Sequence, residues 1–318
     1  MRLIKELPRR VLFAAGFGVL VLSLIGLYAS YVGAGNPRQR PESERRLLVC
    51  STTQLADFAR NVVGDRWDVR SILAPGQDPH LYSVKPGDAR LVARASLCLE
   101  NGWHLEGKDW MRLLAEQAKR PLMTCVEGVE PYRLVEEGVE VHDPHAWFTV
   151  PNALRYVENI RAAVAQIDPE HQDEYGLRAQ LYGEQLSMLD RWIHEQIAVI
   201  PESQRVLVTS HDAFNYFCRE YGLRPASPAG WSTNEEIGGG ITPQRRQRVV
   251  ESIVGMGVKA IFVETSVNPK MIRVIAEEAG VRIGGELYSD SMGAAGTSGE
   301  TYLGMMRENV LTVVGALR

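Results

Sequence analysis

The fold is constrained most by an alternation of short apolar runs with longer helical patterns, which begins near Leu47 and occurs in two sets. The apolar runs predict strands over Leu47–Cys50, Val69–Leu73, Leu97–Glu100, Leu122–Val126, Arg205–Thr209, Ala260–Val263 and Val281–Gly284. The patterns between them predict helices over Thr53–Val63, Gly87–Ala95, Trp110–Ala118, Phe214–Tyr221, Pro243–Met256 and Pro269–Ala279. Such alternation is typical of an α/β protein with mainly parallel sheets and crossover helices.

One long helical pattern separates the two sets. Pro169 suits the first position of a helix, and Pro201 closes the far end. Its apolar stripe consists of Leu186, Leu189, Ile193, Ile197 and Ile200. At a rise of 1.5 Å per residue this helix would be roughly 45 Å long. We therefore predict an N-terminal α/β lobe (residues 47–168), a rigid connecting helix (169–200) and a C-terminal α/β lobe (201–318).

Residues 1–46 are predicted to be a signal or anchor segment with a polar tether. A basic stretch ending in Arg9-Arg10 precedes Val11–Val32, which carries no charge. This is the layout of a secretory signal, and the apolar run also reaches the length of a membrane-spanning helix. The chain is therefore expected in the periplasm or another extracytoplasmic space, either released by signal cleavage or tethered by an uncleaved N-terminal helix.

The distribution of charge along the chain indicates whether a nucleic acid could be a binding partner. The formal net charge is −4, although the first 46 residues hold eight basic side chains against three acidic ones, so the remainder is more acidic still. An acidic body lacks the basic face that nucleic acids require, and we expect no nucleic-acid partner.

The four cysteines, Cys50, Cys98, Cys125 and Cys218, have no CxxC spacing. They could form disulfides outside the cytoplasm. Because all four lie within apolar runs, burial as small unpaired side chains is favoured.

The triplet Asp-Pro-His occurs twice, at Asp78-Pro79-His80 and at Asp143-Pro144-His145. Proline before histidine fixes one backbone angle and constrains the direction of the imidazole. Imidazole is a ligand for Zn, Mn, Fe, Ni or Cu. The repeated triplet therefore indicates a metal site.

Two further candidates complete the set. His211 and Asp290 each follow a predicted strand of the second set, and ligands bind at the carboxyl ends of strands in α/β sheets. Taken singly, His211 could be a surface residue at a helix start and Asp290 a helix cap. Together with both triplets they predict one metal held by His80, His145, His211 and Asp290 in the cleft between the lobes.

Two other side chains are weaker candidates for a role at this site. Glu264 ends a strand that faces the same crevice, and it could accept a hydrogen bond from a ligand or act as a general base. His104 could orient a ligand, although a structural hydrogen bond is favoured. No catalytic or cofactor-binding residue is assigned beyond these.

Several ordered motifs, spread from Leu47 to Leu317, resemble one family. They are Ser51–Gln54, Pro75–Tyr82, Asn101–Glu106, Asp143–Trp147, Thr209–Phe214, Ile261–Glu264 and Gly284–Asp290, followed by Gly296-Thr297 and Thr301-Tyr302. The chain is similar to the exported zinc and manganese solute-binding proteins of ABC transporters, the TroA-like cluster. His80, His145, His211 and Asp290 fall on the four ligand positions of that family.

The resemblance implies a carrier that is not an enzyme. Such a protein, expected to be a monomer, captures one divalent ion, Zn²⁺ or Mn²⁺, and delivers it to an ABC permease driven by a cytoplasmic ATPase. The chain has no histidine-rich loop typical of zinc-dedicated members, and His211 stands where manganese-dedicated members often have glutamate, so the choice of metal stays open. The alternative is an extracytoplasmic zinc hydrolase with Glu264 as its base, but four protein ligands would close the coordination position that catalysis needs.

Overall fold

Parallel strands and covering helices dominate the computed structural model, which describes residues 45–136, 139–209, 211–226, 242–266 and 269–318. The predicted signal or anchor, including Val11–Val32, lies outside these residues. Arg46–Arg318 form one compact unit. No helix in the described ranges is both long and apolar enough to span a bilayer.

The N-terminal half contains a four-stranded parallel sheet. Its strands are β1 (Arg46–Cys50), β2 (Trp67–Ser71), β3 (Leu97–Glu100) and β4 (Leu122–Thr124), in the order β2-β1-β3-β4. Its helices are α1 (Thr53–Val63), α2 (Pro86–Ala93) and α3 (Trp110–Gln117). The predicted strands and helices are therefore present here, with β2 beginning two residues earlier than predicted.

Helices cover both faces of this sheet, which explains the continuous apolar run of β1. Leu48 and Cys50 join the main hydrophobic core, whereas Leu47 and Val49 join a second cluster with α2 and α3. Successive side chains of a strand point to opposite faces, so a strand covered on both sides must be apolar at every position.

Two elements between this sheet and the long helix were not predicted. An antiparallel hairpin pairs β5 (Arg133–Glu136) with β6 (Val139–His142). Helix α4 (Val150–Ile167) then begins after Thr149, whose hydroxyl accepts a hydrogen bond from the backbone N–H of Asn152. A threonine cap followed by proline in the first turn is a helix-start signal, so the start of α4 is visible in the sequence.

The long helix is α5 (Gln172–Ala198), preceded by a 3-10 turn over Pro169–His171. Leu186, Ile193, Ile197 and Ile200 of the predicted stripe are buried, and Leu189 packs against the same core. The predicted long helix and its buried face are therefore confirmed.

The C-terminal half contains two parallel strand pairs. Strand β7 (Val206–Val208) pairs with β8 (Arg224–Ala226), and β9 (Ala260–Glu264) pairs with β10 (Arg282–Leu287). The helices of this half are α6 (Asn215–Tyr221), α7 (Pro243–Met256), α8 (Pro269–Ala279) and α9 (Tyr302–Leu317). Strand β8 and helix α9 were not predicted. The α/β class with mainly parallel sheets is confirmed, and the hairpin is its antiparallel exception.

All four cysteines are buried and none is paired with another, as favoured from the sequence. Burial raises the thiol pKa of Cys98 to about 12, so this side chain stays protonated and behaves as a small apolar group.

The buried stripe of α5 gives a test of the packing. Replacing Ile193, which is fully buried, with alanine should lower the free energy of unfolding by about 2–5 kcal/mol, because a cavity remains in the core. The matched control is Leu181→Ala on the same helix, where the side chain is 51% exposed and the expected change is under about 0.5 kcal/mol. Denaturant unfolding curves measure both, and equal losses would contradict this packing.

Candidate metal centre

Both Asp-Pro-His triplets fold into the same local turn. The backbone N–H of His80 donates to Asp78 Oδ1 at 2.7 Å, and the backbone N–H of His145 donates to Asp143 Oδ1 at 2.9 Å. An aspartate that binds the backbone two residues later forms an Asx turn, and the intervening proline fixes the backbone between them. The repeated triplet is therefore a device that presents a histidine in a defined direction.

Each of the four predicted site residues lies in a segment that follows a strand. His80 lies in the loop from β2 to α2, and His145 follows the hairpin strand β6. His211 comes shortly after β7, and Asp290 comes three residues after β10. Side chains at strand ends are free of the sheet ladder and can converge on one point.

The structure brings these four side chains together. Nε2 of His145 lies 3.2 Å from Nε2 of His80 and 3.3 Å from Nε2 of His211. Asp290 faces the imidazoles with both oxygens, Oδ1 at 3.3 Å from His145 Nε2 and Oδ2 at 3.4 Å from His211 Nε2. One potential donor atom from each residue lies within 4.8 Å of the others. This spacing is compatible with one small cation bound by all four.

Three of the four side chains of the centre are shielded from solvent. His145, His211 and Asp290 are buried, whereas His80 is partly exposed. Asp290 Oδ1 accepts no hydrogen bond from the described residues although it is buried. A buried carboxylate oxygen without a hydrogen-bond partner is costly, and a metal ion would satisfy it.

Two carboxylates behind the centre fix the direction of two imidazoles. Asp143 Oδ1 lies 2.7 Å from Nδ1 of His145, and Glu264 Oε2 lies 2.5 Å from Nδ1 of His211. Glu264 also accepts the backbone N–H of His211 at 2.9 Å. In the metal-bound state we assign the remaining proton of each imidazole to Nδ1, which leaves the Nε2 lone pair directed at the ion. Glu264 thus stands where an orienting acceptor was predicted, while the same role of Asp143 was missed.

The charges of the centre shift the pKa values of its members strongly. Burial disfavours the charged form of His145, but Asp143 and Asp290 outweigh it and raise the His145 pKa to about 9. Burial likewise opposes charge on His211, yet Glu264 and Asp290 hold its pKa well above the ordinary value. No carboxylate among the described residues binds Nδ1 of His80, and burial lowers the His80 pKa to about 4. Metal binding must therefore displace protons from His145 and His211.

His80 is held from behind by the turn that contains Gly107. A Cβ atom placed on Gly107 would lie 1.9 Å from the backbone oxygen of His80, so only glycine permits this approach. The indole N–H of Trp110 donates to the carbonyl of Pro79 at 3.0 Å. The neighbouring Asn101–Glu106 motif gave no sign of this supporting role in the sequence.

His104 lies outside the cluster of four residues. Its side chain is exposed, and Nδ1 lies 3.1 Å from Asp109 Oδ1. Its backbone adopts a positive φ of 60°, and it lines the same cavity as His80 and His145, so a role in orienting a ligand stays a prediction. The favoured alternative, a structural contact, agrees with its pairing to Asp109.

A cavity of about 930 Å³ leads to the centre from outside. His80 and His145 form part of its wall, which also contains the acidic Glu127, Asp109 and Glu140 and the basic Arg112. A cation could therefore reach the imidazoles through polar surroundings.

An α/β fold that presents three imidazoles and one carboxylate at strand ends defines a metal-binding protein. Comparison with known proteins identifies the family: the model of the periplasmic component A of zinc-uptake complexes (ZnuA) matches residues 48–316. The chain belongs to this family. Members are binding components of uptake systems, which confirms the predicted carrier and leaves the hydrolase alternative, with Glu264 as base, without support.

Relatives of the chain are similar over nearly their whole length. The manganese-binding lipoprotein MntA of Bacillus subtilis is 37% identical, over 95% of this chain and 99% of that protein. The zinc-binding protein TroA of Treponema pallidum is 32% identical, over 92% of this chain and 96% of that protein.

Solved structures agree with the fold. Periplasmic TroA of Treponema pallidum superposes with a TM-score of 0.79 at 32% identity, covering 86% of this chain and 99% of that one. The manganese-bound periplasmic metal-binding protein of Candidatus Liberibacter asiaticus gives a TM-score of 0.75 at 26% identity, covering 86% of this chain and 100% of that one.

The close approach of Gly107 to His80 can be tested by a single methyl group. Gly107→Ala should weaken metal affinity by at least about tenfold, because the new Cβ must push the His80 backbone away. Gly176→Ala is the control, since no atom lies within 4 Å of the added Cβ. Calorimetric titration with Zn²⁺ compares the two, and equal affinities would contradict a supporting role for Gly107.

The orienting role of Asp143 gives a second test. Its carboxylate accepts from His145 on one oxygen and from the Asn215 amide, at 3.0 Å, on the other. An amide cannot accept on both sides, so Asp143→Asn should lower metal affinity by about 10–100-fold. Asp68→Asn, at a surface ion pair with Arg70, is the control. Unchanged affinity in Asp143→Asn, measured by competition with a metal-sensitive dye, would refute this role.

Proposed function

We propose that the chain captures one Zn²⁺ or Mn²⁺ ion through His80, His145, His211 and Asp290 and delivers it to an ABC permease for import. The observation that carries this proposal is the convergence of three Nε2 atoms and one carboxylate from four separate segments. The ion is cargo, held by protein ligands alone.

The donor set suits both metals for different reasons. Three imidazole nitrogens and one carboxylate oxygen satisfy the tetrahedral preference of Zn²⁺. Both oxygens of Asp290 face imidazole nitrogens, at 3.3 and 3.4 Å, so the carboxylate can also bind through both and raise the coordination number for Mn²⁺. The similar relatives include a protein named for manganese and one named for zinc, which supports either cargo.

The partners follow from the carrier role. The protein acts outside the cytoplasm and meets a permease in the cytoplasmic membrane, which a cytoplasmic ATPase powers. We propose that it works as a monomer made of an N-terminal lobe, the connecting helix and a C-terminal lobe. The apolar segment Val11–Val32 would direct export, and it would then be cleaved or retained as a membrane tether.

Competitive metal loading tests the proposal. Protein stripped with a chelator and offered Zn²⁺ and Mn²⁺ together should bind one equivalent in total by elemental analysis. His80→Ala and Asp290→Ala should lose stoichiometric binding, because each removes a ligand from a four-ligand site. His104→Ala, which alters an exposed histidine outside the cluster, is the control and should bind as the wild type does.

Two results would contradict the proposal. No stoichiometric metal in the wild type would overturn the carrier function. One equivalent retained in both His80→Ala and Asp290→Ala would overturn the ligand set.

A further inference from the structure

The segment that carries Asp290 is bonded on both sides to the N-terminal half of the protein. The amide of Gln54 donates to the carbonyl of Ser289 at 3.0 Å, and the backbone N–H of Met292 donates to the hydroxyl of Thr53 at 2.8 Å. Both contacts are buried and join α1 to residues more than 230 positions later in the chain. Asp290 therefore stands between two anchors that belong to the opposite half.

A third contact ties the same segment to the loop of another proposed ligand. The backbone N–H of Gly76 donates to the hydroxyl of Ser291 at 2.7 Å. Gly76 has a φ of +80° and lies in the turn just before Asp78-Pro79-His80. The Ser291 side chain thus joins the loop that holds His80 to the segment that holds Asp290.

None of these contacts involves a proposed metal ligand directly. Ser289 and Ser291 are fully buried and Gln54 is 1% exposed, so the bonds made by Gln54 and Thr53 are shielded from water, whereas the bond from Gly76 to Ser291 is part-buried. Within the C-terminal half, Ser266, two residues after β9, adds support. Its hydroxyl lies 2.9 Å from that of Ser289 and 3.4 Å from Asp290 Oδ2. Three neutral hydrogen bonds, two of them buried, can hold two segments in register without adding charge to the metal centre.

We propose that Thr53, Gln54 and Ser291 form a latch that holds Asp290 against the three histidines and so sets the rate of metal release. This inference rests on the proposed metal site and names the positioning residues that control it. Release requires Asp290 to separate from His80 and His145, and the latch contacts must break when it does. Removing one of them should speed dissociation without removing a ligand.

The test compares metal dissociation rates in the full chain. Ser291→Ala removes the acceptor for Gly76, and Thr53→Val removes the acceptor for Met292 at nearly constant volume. Zn²⁺-loaded protein is mixed with excess chelator, and release is followed by stopped flow. Each variant should still bind one equivalent but release it about two- to tenfold faster, as expected for the loss of one hydrogen bond.

Ser187→Ala is the matched control, because its hydroxyl bonds only within α5, to the carbonyl of Gly183. A purely structural role would lower the melting temperature of metal-free variants and leave the release rate unchanged. Wild-type release rates in both Ser291→Ala and Thr53→Val would overturn the latch while the metal site stands. Absence of metal from the wild type would instead overturn the proposed function.

Discussion

The convergence of His80, His145, His211 and Asp290 is the constraint on which the rest of the structure depends. Gathering ionisable groups in a buried place costs desolvation energy, and the cost must be offset by partners or by a cation. Asp143 and Glu264 offset part of it by binding the outer nitrogens of His145 and His211. The same carboxylates direct the inner nitrogens to one point, so stabilisation and metal recognition come from the same contacts.

The core provides the rigidity that this arrangement needs. Helix α5 packs against α1 and α4 of the N-terminal half and against α9 of the C-terminal half. Asp57 of α1 accepts the backbone N–H of Tyr302 at the start of α9, and Tyr302 donates to the carbonyl of Trp147 at 2.6 Å. Because these contacts are buried and continuous with the main core, the segments carrying the four proposed ligands rest on a common support.

The sequence predicted the fold class, the long helix and most strands because these depend on local periodicity. It also singled out the four clustered residues, since the repeated Asp-Pro-His triplet and the strand-end positions are visible without coordinates. Helices α4 and α9 and the β5–β6 hairpin were missed. Both helices carried a threonine cap, at Thr149 and Thr301, that could have indicated their starts.

Other features could not be predicted, because they depend on contacts between distant segments. Examples are the approach of Gly107 to His80 and the hydrogen bond from Asn215 to Asp143. The bonds of Gln54 and Thr53 to the Asp290 segment also join residues far apart in the chain. The hydrophobic periodicity of a sequence carries no information about such contacts. His104 lies within the Asn101–Glu106 motif, yet its side chain is exposed, so membership of a motif did not by itself place a residue in the cluster.

X-ray absorption spectroscopy of the zinc-loaded protein tests the four-residue centre most directly. The expected spectrum has only nitrogen and oxygen neighbours at about 2.0–2.1 Å from zinc, with outer-shell scattering from three imidazole rings. A sulfur neighbour, or scattering from fewer than three imidazoles, would contradict a centre built from His80, His145, His211 and Asp290.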